Sequence, residues 1–223
     1  MNIHSLLGFM SSSAAPDLSA KADDKRARLL AAALTLFERR GFDGVAVPEI
    51  ARAAGVATGT VYRYFATKEA LVNALYLQWK TAYNTAVLAP LDAELAPRAM
   101  FGVYWQRMAG FAQTYPHAVR FLDLHFHKSY LDAQSLAAHT AYRVAAAEFV
   151  RSAREVGAIR ALSPQLVVAL FWGASVGLTK FAHEGVLIFD AHTSAEMEEM
   201  LWRAIAKDQP VSGGGAHEHS RKR

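Results

Sequence analysis

With 223 residues, 52% of them hydrophobic, the chain has enough apolar material for one large or two modest cores. It contains no cysteine, which excludes disulfides and thiolate metal sites and points to a reducing cytoplasm. Charge is uneven: residues 21–68 carry nine Lys or Arg against five Asp or Glu, and residues 69–209 carry twelve against thirteen. The positive excess therefore sits in the N-terminal segment, where phosphate contacts need it. No apolar run is expected to reach the roughly 20 residues of a bilayer span, so no membrane partner is expected.

In chain order, residues 1–20 read as a disordered leader. Its apolar part (Ile3 to Met10) lacks a basic flank and is broken by His4, Ser5 and Gly8. Met10 is an alternative start, and a weak secretion signal is the alternative reading. Asp23 and Asp24 suit the start of a first helix, with Leu30, Leu34 and Phe37 as its inner stripe. Arg39 and Arg40 occupy its last turn and Gly41 ends it. Val47, Ile50, Ala51 and Ala54 give the apolar face of a second, short helix, which Pro48 can open. A tight turn at Gly55 follows.

A third helix then begins at Thr58. On its wheel Val61 and Phe65 point inward, Gly59, Thr60 and Arg63 point outward, and Tyr62 and Tyr64 flank them. The outward set offers hydroxyls, a guanidinium and bare backbone, with no carboxylate. Such a surface suits a polyanion with hydrogen-bonding edges, which is how the second helix of a helix–turn–helix meets the major groove. Thr67 caps a fourth helix that runs from Lys68 towards Leu88.

The rest of the pattern is helical. Pro97 opens a helix dense in Phe101, Tyr104, Trp105, Met108 and Phe111, ending at Tyr115–Pro116. A shorter helix covers 117–131, and Asp132 caps a long one that reaches Val156 and stops at Gly157. Ser163 and Pro164 start another, and Thr193 or Ser194 caps the last. Only Gly185 to Phe189 looks β-like, so the fold class is all-α. Four segments follow: leader 1–20, helix–turn–helix domain 21–68, a larger helical domain 69–209, and flexible tail 210–223.

The first fifty ordered residues resemble the DNA-binding domain of the tetracycline-repressor (TetR) family. The resemblance rests on Ala32, Leu36, Phe37, Gly41–Phe42, Ile50–Ala51, Ala54–Gly55–Val56, Gly59–Thr60–Val61–Tyr62, Tyr64–Phe65 and Lys68–Glu69–Ala70–Leu71. It implies a homodimer that binds double-stranded DNA at an operator palindrome and leaves it when a small molecule enters the C-terminal domain. By the same resemblance Tyr62 and Lys68 hold phosphates, Thr60 sits at the groove, and Tyr64 replaces a frequent histidine.

Two departures stand out. The family usually has threonine where this chain has Ala46 and a polar cap where it has Ala57; losing an N-cap oxygen costs about 0.5–2 kcal/mol. Base reading is therefore expected to lean on Thr58, Thr60, Arg63 and the first-helix arm of Lys25, Arg26 and Arg28.

In the C-terminal half, Phe101, Tyr104, Trp105, Met108, His125, Phe126, Tyr142 and Trp172 are candidates for lining a ligand pocket, with core packing the competing role of each aromatic. His125 and His127, two residues apart, cannot share a helical face, so no metal site is expected. Leu170, Gly173, Ala174, Gly177, Phe181, Met197, Leu201 and Ile205 are the dimerisation candidates, since small residues allow close helix approach. In this family the last two long helices usually pair as a four-helix bundle. No nucleophile–base pair or phosphate loop is present, so neither an enzyme nor a cofactor is expected. The sequence supports a cytoplasmic, ligand-responsive, dimeric regulator, more a repressor than an activator. The competing reading is a small-molecule-binding or protein-interaction protein with a vestigial DNA domain.

Overall fold

The computed structural model describes residues 25–92, 94–124, 127 and 129–207. Among these are nine helices and no strand: α1 (Lys25–Arg40), α2 (Val47–Ala53), α3 (Thr58–Tyr64), α4 (Lys68–Val87), α5 (Pro97–Thr114), α6 (Pro116–Leu124), α7 (Ala133–Glu155), α8 (Pro164–His183) and α9 (Ala191–Ile205). The all-α expectation holds. The leader, the tail, the Asp23–Asp24 cap, His125 and Phe126 lie outside the described residues.

Helices α1 to α3 share one apolar centre. Leu29, Leu30, Ala33 and Phe37 from α1 meet Val47, Ile50 and Ala51 from α2 and Val61 from α3, all buried. Each of the larger side chains stabilises the domain by roughly 1.5–3 kcal/mol through burial. The turn between α2 and α3 is closed by Gly55 at φ 66°, with the Val56 N–H donating 3.0 Å to the Ala51 carbonyl. A side chain at that φ is strained against its own backbone, so glycine is favoured there.

Thr67, Asp132 and Ser163 cap α4, α7 and α8 as their sequence positions predict, each accepting a backbone N–H. Three expectations are corrected. The helix placed at 117–131 ends by Leu124, and buried His127 lies in irregular chain beyond it. The last helix is capped by Asp190, which accepts the Thr193 N–H at 2.9 Å; Thr193 and Ser194 already lie inside the helix. Gly185 to Phe189 forms no strand. Gly185, at φ 70°, ends α8, and the Val186 N–H returns to the Phe181 carbonyl at 2.9 Å. The described residues hold one isolated antiparallel bridge, Ile159 to Ala206, which ties the α7–α8 connection to the end of α9.

The expectation that no run is long and apolar enough to span a bilayer is also corrected. Helix α8 reaches that length and apolarity, with a mean hydropathy of 1.4, yet only 22% of the window is buried within the chain. Its inner side packs against α6, α7 and α9. Its outer side is apolar as well, and that second face raises the mean. Leu166, Leu170 and Phe181 are exposed along it, and a Cβ built on Gly173 or Gly177 would meet nothing.

The domains are joined through α1, α4 and α6. Glu38 on α1 accepts from Arg120 Nε at 2.6 Å and pairs with His117 at 2.8 Å. Phe37 stacks on Phe121 with centroids 6.5 Å apart. Burial opposes ionisation of Glu38, but the hydrogen bonds from His117 and Arg120 outweigh it and hold its carboxyl below the ordinary value.

Candidate functional site

The outer face of α3 carries the sequence candidates for nucleic-acid contact. Val61 and Phe65 anchor it from below, while Tyr62, 52% exposed, Arg63 and Tyr64 stand outside. Gly59 is open, with nothing within 4 Å of a Cβ built on it, so another molecule can approach the backbone closely. Thr58 and Thr60 are half-buried on the first turn. The Arg63 guanidinium lies 5.3 Å from the Tyr64 ring, which steers it along the face. Arg26 on α1 sits 5.5 Å from the Phe65 ring, so the start of α1 lies against the end of α3, and Lys25 is exposed beside it.

Arg28 behaves differently from the expected arm. It is half-buried, with its Nη1 3.9 Å from a Cβ built on Gly55 and its Nε buried without a partner. One helical turn past exposed Lys25, it faces the α2–α3 turn from within.

Neither Ala46 nor Ala57 supplies a cap oxygen. At α2 the loss is partly offset: Glu49 accepts the Ala46 N–H at 2.9 Å and Arg40 at 3.1 Å, which holds its carboxyl below the ordinary value. No such group reaches Ala57.

Lys68 opens α4, half-buried, with its ammonium 4.1 Å over the Phe42 ring. Phe42 stacks on Tyr130 at 4.4 Å. The Tyr130 hydroxyl is 2.6 Å from His127 Nδ1, and His127 Nε2 is 2.6 Å from the Phe121 carbonyl. A carbonyl only accepts, so Nε2 carries the proton in the neutral ring and Nδ1 accepts from Tyr130. Burial and Asp43 push the Tyr130 hydroxyl up to about 12, so it remains a donor. Asn73 on α4 fastens the same loop, donating to the Tyr130 carbonyl at 2.7 Å and accepting the Asp132 N–H at 2.8 Å.

His127 and His139 line an open cavity of about 1570 Å³ between α4, α6, α7 and α8. His139 also meets the Tyr76 hydroxyl at 2.6 Å. Of the sequence candidates, Tyr142 and Trp172 line this cavity. Phe101, Tyr104 and Met108 line a separate apolar void of about 50 Å³, which Tyr142 also borders. Trp105 lines neither and serves the core: it is fully buried, and its indole N–H donates 2.8 Å to the Ser194 carbonyl. Sequence reading missed Lys80, Tyr83 and His139. Tyr76, Lys80, Tyr83 and Val87 recur at helical spacing on one inward stripe of α4, and a lysine within such a stripe was the available signal.

The dimerisation candidates divide. Leu170, Gly173 and Phe181 lie on the open face of α8, and Gly177 is half-buried at its edge. Ala174 and Met197 are half-buried against the chain's own core. Leu201 and Ile205 are corrected: α9 turns both into that core, while Met200 on the same helix is exposed. No group of three or more potential metal ligands occurs among the described residues.

Two family models cover nearly the whole helical chain. One, described as bacterial regulatory proteins of the tetR family, matches residues 29–75; the other, described as a tetracyclin repressor-like C-terminal domain, matches residues 81–207. The chain belongs to the TetR family. The TetR-family regulator RutR of Escherichia coli K12 is 35% identical over 99 residues, which is 43% of this chain and 45% of RutR. UidR of the same organism is 34% identical over 62 residues, 28% of this chain and 32% of UidR. The chain thus spans less than half the length of these curated relatives.

Among solved structures, a TetR-family protein from Shewanella sp. PV-4 is 25% identical with a TM-score of 0.68, covering 82% of this chain and 99% of that one. One from Marinobacter aquaeolei, 20% identical with a TM-score of 0.72, covers 83% and 97% and shares the fold. The TetR family consists of DNA-binding transcriptional regulators, not enzymes.

Proposed function

We propose that this TetR-family chain is a dimeric repressor that binds a palindromic operator in the cytoplasm and releases it when a small molecule occupies the α4–α8 cavity. The observation that carries the reading is the outer face of α3: exposed Tyr62, Arg63 and Tyr64 and an open Gly59, held rigidly by buried Val61 and Phe65. Tyr62 and Lys68 hold phosphates and fix register, while Thr58, Thr60 and Arg63 reach base edges, with Arg63 suited to guanine. Lys25 and Arg26 add phosphate contacts from the arm.

A palindrome reader needs two-fold symmetry, and the apolar outer face of α8 supports it. Leu166, Leu170 and Phe181 would supply area, with Gly173 and Gly177 letting the helices approach closely. The cavity is coupled to the DNA-binding domain through α4 and through His127, Tyr130, Phe42 and Lys68. A molecule that moves His127 pulls on Tyr130, and the stacked Phe42 transmits the shift to the start of α4.

The test is selection of bound sequences from a random duplex library by the purified protein, followed by titration of the recovered site at several salt concentrations. A two-fold symmetric site and a steep negative dependence on salt are expected. A flat salt dependence and no enriched sequence would overturn the reading. An inducer must bind free protein more tightly than DNA-bound protein, by the factor with which it weakens DNA.

A further inference from the structure

The large cavity has an uneven balance of partnered and unpartnered charge. Lys80, midway along α4, is 7% exposed and lines it. Its ammonium lies over ring faces, 4.6 Å from the Tyr83 centroid and 5.8 Å from that of Tyr142, and the Asp123 carboxylate acts on it from beyond ion-pair distance. It makes no hydrogen bond or ion pair among the described residues. A buried ammonium left in that state is costly, and ring faces replace only part of its lost hydration.

Three carboxylates line the cavity, Asp123, Glu148 and Glu155, against four cations, Lys80, Arg143, Arg151 and Arg154, so the lining is net positive. Asp123 accepts the Trp172 indole N–H at 3.3 Å. Glu148 and Glu155 on α7 both pair with Arg151. On the cationic side, Arg143 at the cavity makes no ion pair among the described residues. The unmet demand is therefore for an anion. Tyr83, Tyr142 and Trp172 supply flat apolar walls around the place where it would sit.

We propose that this cavity takes a small amphipathic carboxylate, its anionic head on the Lys80 ammonium and its apolar body between Tyr83, Tyr142 and Trp172. The proposal rests on the ligand-responsive reading above and names the chemical class of its ligand. Burial depresses the Lys80 ammonium from its ordinary value while Asp123 works the other way, and an arriving carboxylate reinforces the charged form.

The test is calorimetric titration of the full chain with benzoate, phenylacetate and octanoate, each against its neutral amide, and with benzylamine as a cation. The carboxylates are expected to bind at least about tenfold more tightly than their amides, since the head makes a charge-assisted contact. Lys80→Met, close to the lysine stem in shape, should erase that preference while leaving amide affinity unchanged; Lys80→Arg should keep it.

Equal affinity for carboxylate and amide in the native chain would overturn the proposal. So would a preference that survives Lys80→Met, tighter binding of benzylamine, or no carboxylate binding at millimolar concentration. Should Lys80→Met fail to fold, the native comparison together with Lys80→Arg decides. Repeating the titrations with the selected DNA site separates the two readings. Neutral molecules that release DNA would keep the regulator and overturn the ligand class. Carboxylates that bind through Lys80 and leave DNA affinity unchanged would keep the ligand class and overturn the regulator.

Discussion

The two ends of the molecule bury different chemistry. The fully buried residues of α1 to α3 are apolar, and their buried Glu38 carboxylate faces α6 at the joint, whereas the other buried polar and charged residues described, from Asn73 to Glu198, lie in α4 or beyond. An apolar core has no directional demands beyond shape, so it makes a rigid support for the α3 face. A core containing Asn73, His127, Ser135 and Glu198 holds hydrogen bonds, each of modest net worth, that depend on direction as well as shape. The first arrangement presents a surface; the second, in the proposed regulator, would register what enters it.

The largest effect that sharpens this contrast is in the rigid half. Phe37→Ala should destabilise the chain by about 3–5 kcal/mol, because the cavity between α1, α2 and α6 cannot collapse. Urea denaturation checks it, and a cost below about 1 kcal/mol would show that the N-terminal core is softer than its composition implies.

Next comes the joint between the halves. Glu38→Ala leaves Arg120, itself buried, without its carboxylate and should cost about 3 kcal/mol. The Glu38 carboxyl titrates below its unfolded value, so its stabilisation is present above the unfolded carboxylate pKa of about 4.3 and is lost as pH falls through the lower folded value. Stability measured against pH should therefore fall less steeply on the acid side in Glu38→Ala than in the native chain.

Arg63→Ala should relax base preference at one position of each half-site by about 1–3 kcal/mol, read by repeating the sequence selection. Lys68→Ala should weaken all sequences alike and lower the salt slope by about 1, read by titration at several salt concentrations. If Lys68→Ala changes base preference and leaves the slope intact, its phosphate role is wrong.

The contrast also explains what could be read from the chain alone. Periodicity placed the α1–α4 stretch and its inward Val61 and Phe65, because an apolar stripe records a single demand, burial. It gave Leu201 and Ile205 a shared apolar stripe on α9 but not the direction that stripe faces, which depends on α5 and α8. Asp190 lost to Thr193 and Ser194 as the expected cap because the three polar residues sit within one turn and each suits the position. The cavity was hardest to see. Its lining is shared among four helices, and the inward stripe that holds Lys80 on α4 does not say which helices face it. Only packing sets it beside Tyr83, Tyr142 and Trp172.

The open face of α8 has a consequence for the cell as well as for DNA. A chain that leaves Leu166, Leu170 and Phe181 in water is adhesive while alone, and in the proposed dimer each copy would cover the other's face. Were the chain to assemble as proposed, mass action would make its heat resistance a function of its own abundance, with the unfolding temperature rising as the protein is concentrated. A cell that keeps few copies would then hold this protein nearer to turnover than one that keeps many.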